Sequence, residues 1–155
     1  MMLHATWLPD ECPGVLALDR LHHDLYDTLH KLSSACDHEF GNGYCALVRQ
    51  VEQAFQKEER WMEEMDFQSL KVHREQHARV LGALHNVNFL VMNGELGVGR
   101  EVVQELLPQW FAFHISTMDA TLARSMQTMS ARTSGLSAPG ATAGEKLAGE
   151  KLESH

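Results

Sequence analysis

The stretch LKVHREQHARVLGALHNVNFLVMNG, Leu70 to Gly94, decides the fold. Leu70, Leu81, Leu84 and Val91 recur at the spacing that lines one face of an α-helix. His73 and His77, four residues apart, fall on that same apolar face. Ser69 stands where a helix cap would, and Asn93 with Gly94 makes a stop, so a helix is expected from about 69 to 93. It carries two imidazoles toward a core.

Three further segments repeat the pattern. One from about 18 to 36 shows Leu18, Leu21, Leu25, Leu29 and Leu32, and one from about 44 to 65 shows Val48, Val51, Phe55, Met62 and Met65. The last, from about 99 to 128, shows Val103, Leu107, Trp110 and Leu122. Pro108 lies inside it and should kink the helix or mark the start of its second half. No strand pattern competes. The connections GNG (41–43), DFQ (66–68) and GELGVG (94–99) are short, and short links make neighbouring helices antiparallel. The expected fold is all-α, an up-down-up-down four-helix bundle over residues 1–129. From Ser130 the sequence turns to SARTSGLSAPGATAGEKLAGEKLESH, with few bulky apolar groups, and residues 130–155 are expected to be a disordered tail.

Composition narrows the function. The chain has 155 residues, 44% hydrophobic and 22% charged, which suits one domain with an ordinary core. Thirteen basic against twenty-one acidic side chains give a formal charge of −8, which argues against nucleic acid or an anionic membrane as a partner. The first residues form neither a signal peptide nor a membrane span, and the expected address is the cytoplasm. Cys12, Cys36 and Cys45 form no CxxC pair and read as reduced thiols.

The informative residues are polar groups interrupting the apolar stripes. His22 shares the face of Leu18, Leu25 and Leu29; Glu58 lies between Phe55 and Met62; His114 follows Trp110 by one turn, and Asp119 comes five residues later. Glu59 is rotated about 100° from Glu58 and reads as solvated. A lone imidazole on such a face is ordinarily a hydrogen-bonded core residue. A buried carboxylate is different, because an unpartnered charge costs several kcal/mol, and no Arg or Lys lies on these stripes. In an antiparallel bundle His22, Glu58, His73, His77, His114 and Asp119 all come to one depth. Four imidazoles and two carboxylates meeting in an apolar shell point to a first-row metal site. The donors contain no cysteine, which disfavours structural zinc and iron–sulfur clusters and suits iron or manganese; two carboxylates able to bridge suggest two ions. No Glu-x-x-His tetrapeptide occurs, which argues against the ferritin-like di-iron arrangement. His114 and Asp119 would stand about 140° apart on a regular helix, so a π-type widening or a sideways reach by Asp119 is needed. His4, His23, His30, His38, His85 and His155 fall off the stripes and read as solvated.

These residues resemble the hemerythrins, specifically the single-domain bacteriohemerythrins. The resemblance runs from about Trp7 to Met126: Trp7, DRLH ending in His22, FQKEERWM with Glu58 and Met62, HREQH, and WFAFHISTMD ending in Asp119. It implies two irons bridged by Glu58, Asp119 and an oxo or hydroxo group, one iron held by His73, His77 and His114 and the other by His22. The family carries a second histidine on the latter iron, four residues before the glutamate; here that position is Ala54. A water in its place, loss of the second metal, or Tyr26 reaching in from one turn beyond His22 are the alternatives, beside a Tyr26 simply packed against the core.

The expected function is binding of dioxygen or a related small diatomic ligand, as carrier, store or sensor. Two alternatives stand beside it. One is iron-dependent redox handling of peroxide or nitric oxide at a more open second metal; the other is an interaction module with a vestigial or structural metal.

Overall fold

The computed structural model describes residues 14–135, with side chains through Arg132. Trp7, Cys12, His4, His155 and most of the expected tail lie outside the described residues. Four helices, in an antiparallel bundle, make up the described chain: α1 (Val15–Ser33), α2 (Asp37–Glu64), α3 (Leu70–Met92) and a composite fourth helix, α4, over 96–135. No described helix is long and apolar enough to cross a membrane.

The second helix begins earlier than its glycines suggest. Gly41, Asn42 and Gly43, expected as a turn, lie inside α2, and the link from α1 is Ser34 to Cys36 instead. Burial overrides the glycine cost here: Phe40 and Tyr44 are fully buried, and packing of a long amphipathic face outweighs roughly 1 kcal/mol per helical glycine. Gly43 lets α1 pack closely here, since a Cβ would lie 2.5 Å from Leu32 Cδ1 and the leucine side chain would have to shift. The hydroxyl of Tyr44 donates to the Leu84 carbonyl at 3.1 Å, tying α2 to α3.

At the other helix ends the sequence signals divide. Gly94 adopts φ 87° and ends α3, with Gly94 N–H donating to the Val91 carbonyl and Glu95 N–H to the Leu90 carbonyl, both at 3.0 Å. Ser69 precedes α3 but makes no side-chain cap bond; its carbonyl accepts from His73 N–H at 3.0 Å.

The composite α4 is regular over Leu96–Glu101, Leu107–His114 and Ala120–Gly135, with π-helical turns at Val102–Leu106 and Ile115–Asp119. Leu107 N–H donates to the Val102 carbonyl and Ala120 N–H to the Ile115 carbonyl, each a five-residue step. Pro108 opens the segment after the first π turn, where its missing donor is absorbed. The last segment runs to Gly135, so residues 130–135, expected in the tail, are helical. Buried Leu122 and Met126 anchor this segment, and its remaining turns propagate from them.

A single order is followed on every helix. A large apolar cluster holds Leu25 and Leu29 of α1, Phe40 to Phe55 of α2, Leu84 and Val91 of α3, and Val103, Leu107 and Phe111 of α4. A smaller one holds Leu18, Trp61, Met62, Leu122 and Met126, with the partly buried Leu70 of α3 packed against it. Between them, in sequence on each helix, lie His22, Glu58, His73 with His77, and His114 with Asp119. The bundle therefore contains one polar layer sealed between two apolar ones.

Candidate metal centre

The layer brings all six sequence-predicted residues together. Glu58, His73, His77, His114 and Asp119 are buried to 2% exposure or less, and the His22 side chain is 11% exposed. The five-residue spacing of His114 and Asp119 is reconciled by the π turn Ile115–Asp119, which sets Asp119 Oδ1 3.3 Å from His114 Nε2. Of the solvated histidines, His23, His30, His38 and His85 are exposed.

Three imidazoles point at one spot. His114 Nε2 lies 3.0 Å from His73 Nε2 and 3.2 Å from His77 Nε2. Glu58 Oε2 stands 3.1 Å from His77 Nε2 and 3.5 Å from His73 Nε2, and Asp119 Oδ1 stands 2.9 Å from His73 Nε2. Neighbouring donors on an octahedral ion with bonds of about 2.1 Å are themselves about 3 Å apart, so these five atoms match adjacent corners of one coordination sphere. The carboxylates' other oxygens face the opposite way. His22 Nε2 lies 2.8 Å from Asp119 Oδ2 and 3.5 Å from Glu58 Oε1. Two donor groups result, His73, His77, His114 with Glu58, and His22, Glu58 with Asp119.

The donor set fits metal ions on a further observation. Glu58 Oε2 and Asp119 Oδ1 are fully buried yet make no hydrogen bond of good geometry. A native core rarely leaves carboxylate oxygens so, and their lone pairs aim at the spot the imidazole nitrogens share. Three ring nitrogens at about 3 Å also repel unless protons or a cation sit among them.

Without an ion the layer is a charge cluster. Burial disfavours the imidazolium of His22 and of His73, but contact with Asp119 and Glu58 outweighs it and pushes both up to about 9. Burial likewise disfavours the Glu58 carboxylate, yet contacts from His22, His73 and His77 bring it down to about 2. Asp119 is lowered against its own burial by His114, His22 and His73. For His77 burial prevails and its pKa falls.

Several supporting residues were not legible from the sequence. Phe55 stacks on His77, with ring centroids 3.8 Å apart and planes within 1°, and Trp110 stacks on His114 at 4.5 Å and 13°. Both were visible only as stripe residues. His114 Nδ1–H donates to Gln76 Oε1 at 3.4 Å, which directs Nε2 inward. Glu59, expected as a solvated charge, is only 21% exposed and pairs with Arg74 at 3.4 Å, its Oε1 3.8 Å from His77 Nδ1. Helical rotation moves Glu59 off the core face but onto the α2–α3 seam, where Arg74 meets it.

Ala54 is buried among the apolar residues of the larger cluster. Tyr26 packs its ring against Phe111 at 6.2 Å and lines a surface groove with Leu29, Val103 and Pro108; it is 37% exposed. That is the packed tyrosine of the alternatives above, facing the α1–α4 groove.

A four-helix bundle with a buried layer of imidazole and carboxylate donors, suited to metal, defines the class. The bacteriohemerythrin of Ralstonia nicotianae is 34% identical over 106 residues, covering 68% of this chain and 77% of that protein. The chain belongs to the hemerythrin family. A crystal structure of a hemerythrin point mutant superposes with a TM-score of 0.66 at 22% identity, covering 81% of this chain and 98% of the other, and supports the fold. No protein-family model matches the chain.

Proposed function

We propose that this protein holds two iron ions in the polar layer and binds dioxygen or a related small ligand there. The observation that carries the reading is the division of each carboxylate, one oxygen toward the three imidazoles and the other toward His22. On this reading His73, His77 and His114 would hold one iron and His22 the other, and Glu58 and Asp119 would each offer an oxygen to both. Bound ferrous iron supplies reversible coordination of a small ligand, chemistry no side chain offers alone.

The chain's own part is to orient and to exclude. Phe55 and Trp110 hold two imidazole planes, Gln76 selects the tautomer of His114, and the apolar layers above and below keep bulk water from the centre. Redox turnover of peroxide or nitric oxide is the second reading, favoured by the single imidazole and the greater exposure on the His22 side.

The test is anaerobic loading of the metal-free protein with ferrous iron, followed by metal analysis and absorption spectra before and after air or azide. About two irons per chain and a new visible charge-transfer band are expected. A fully loaded protein whose spectrum ignores both air and azide would sink the reading. Peroxide consumption that vanishes in Ala54→His would favour the second.

A further inference from the structure

The three rings that share one spot differ on their outer sides. A ring that gives Nε2 to a metal must carry its proton on Nδ1, so metal binding turns each outer nitrogen into a donor that needs an acceptor. For His114 that acceptor is Gln76 Oε1, at 3.4 Å. The Nδ1 atoms of His73 and His77 are fully buried and make no hydrogen bond. A buried donor left in that state is costly, and a neighbour able to reach it would stabilise the loaded form.

At His77 a charged acceptor is at hand. Glu59 Oε1 stands 3.8 Å from His77 Nδ1. The ring is not the part that moves: Phe55 stacks flat on it, and its Nε2 faces Glu58 Oε2 at 3.1 Å. Glu59 has the freedom, being half-buried at the α2–α3 seam rather than packed in the layer. An approach of about 1 Å brings its oxygen to the usual hydrogen-bond distance.

Arg74 holds the same carboxylate from the other side. Its Nε lies 3.4 Å from Glu59 Oε1, and its Nη2 donates to Glu63. Arg74 precedes His77 by three residues on α3, so guanidinium and imidazole meet one oxygen of Glu59 from the same helix. We infer that Glu59 is a positioning residue for the metal centre: with a metal on Nε2 its carboxylate accepts the His77 Nδ1–H, and Arg74, sharing that oxygen, tempers the negative charge passed through the ring. A hydrogen bond to a carboxylate is roughly twice as strong as one to a neutral acceptor. It makes His77 a more basic ligand than His114, whose outer partner is a neutral amide. The inference rests on the metal reading above and adds two residues, Glu59 and Arg74, outside the six ligands.

The experiment titrates the full-length metal-free protein with cobalt(II) without oxygen, read by calorimetry, and follows the ring N–H protons of the loaded form by NMR. Glu59→Ala should weaken binding by about tenfold or more and speed exchange of the His77 Nδ1–H with water. Glu59→Gln, which keeps an acceptor but loses the charge, should fall between Glu59→Ala and the unaltered protein. Arg74→Met should act in the opposite direction and tighten binding, and should have no effect once Glu59→Ala is in place, because Arg74 acts through that carboxylate. Glu59→Gln is nearly isosteric, so its result carries the test if another variant fails to fold. Affinity and exchange untouched by Glu59→Ala, weaker binding in Arg74→Met, or an Arg74→Met effect that persists beside Glu59→Ala each overturn the inference and leave the metal centre standing. An unaltered protein that binds no cobalt at all would overturn the metal reading itself.

Discussion

On one face of the polar layer, two of the three imidazoles are held before any ligand arrives: Phe55 stacks on His77, Trp110 stacks on His114, and Gln76 accepts from His114 Nδ1–H, while all three rings are 0 to 1% exposed. On the other face His22 stands alone, 11% exposed, with its contacts limited to the carboxylates both faces share. The difference teaches where the fold has invested rigidity. Donors whose rotamers are fixed by packing lose little freedom on binding, so the three-histidine face is preorganised and the His22 face compliant.

Breaking the shared element should have the largest effect. Glu58→Ala removes an oxygen from both faces, so the purified variant is expected to retain essentially no metal after gel filtration, as read by elemental analysis. A variant that kept a full complement would show that the carboxylate is not shared.

The metal-free protein offers a subtler test, because protons then stand in for cations on both faces. His22 and His73 are raised to about 9 by their carboxylates, so their contribution to stability is complete below about pH 6.5 and lost as the pH rises through 9. Denaturant unfolding should therefore show a less stable metal-free protein at pH 9.5 than at pH 6.5. Glu58, lowered to about 2, acts with the opposite sign and costs stability only as the pH falls below about 4.5 toward 2. A metal-free protein that gained stability from pH 6.5 to 9.5 would refute the ion-pairing assigned to the layer.

The smallest effect should sharpen the comparison rather than break it. Gln76→Leu removes the acceptor for His114 Nδ1–H and is expected to weaken metal binding by about tenfold, read by calorimetric titration of the metal-free protein with cobalt(II). Unchanged affinity would mean that Gln76 does not act on the three-histidine face.

The sequence was most readable where polar residues broke an apolar stripe. His22, Glu58, His73, His77, His114 and Asp119 each violate a local rule, and antiparallel geometry alone brings such violations to one depth. The π turn at Ile115–Asp119 was one of the two ways the sequence left open, beside a sideways reach by Asp119, to bring a five-residue spacing to one face. Helix starts were harder to place. Gly41 and Gly43 signal a turn locally, and only the burial of Phe40 and Tyr44 against partners distant in sequence makes that stretch helical. Glu59 and Gln76 were illegible for the same reason: their partners lie on other helices, and no spacing within one helix encodes them.

The two π turns of α4 carry a consequence for how this helix tolerates change. Each accommodates about one residue beyond the regular repeat and so holds the helical phase about 100° behind that of an uninterrupted helix of the same length. Leu122 and Met126 keep the facing they would have if the extra residue in Ile115–Asp119 were absent. A one-residue deletion there would relax the turn to regular α-helix and leave both facing the core, whereas a further insertion would rotate the last helical segment about its own axis and turn its apolar stripe toward water. The stretch between His114 and Leu122 thus tolerates loss of a residue better than gain of one.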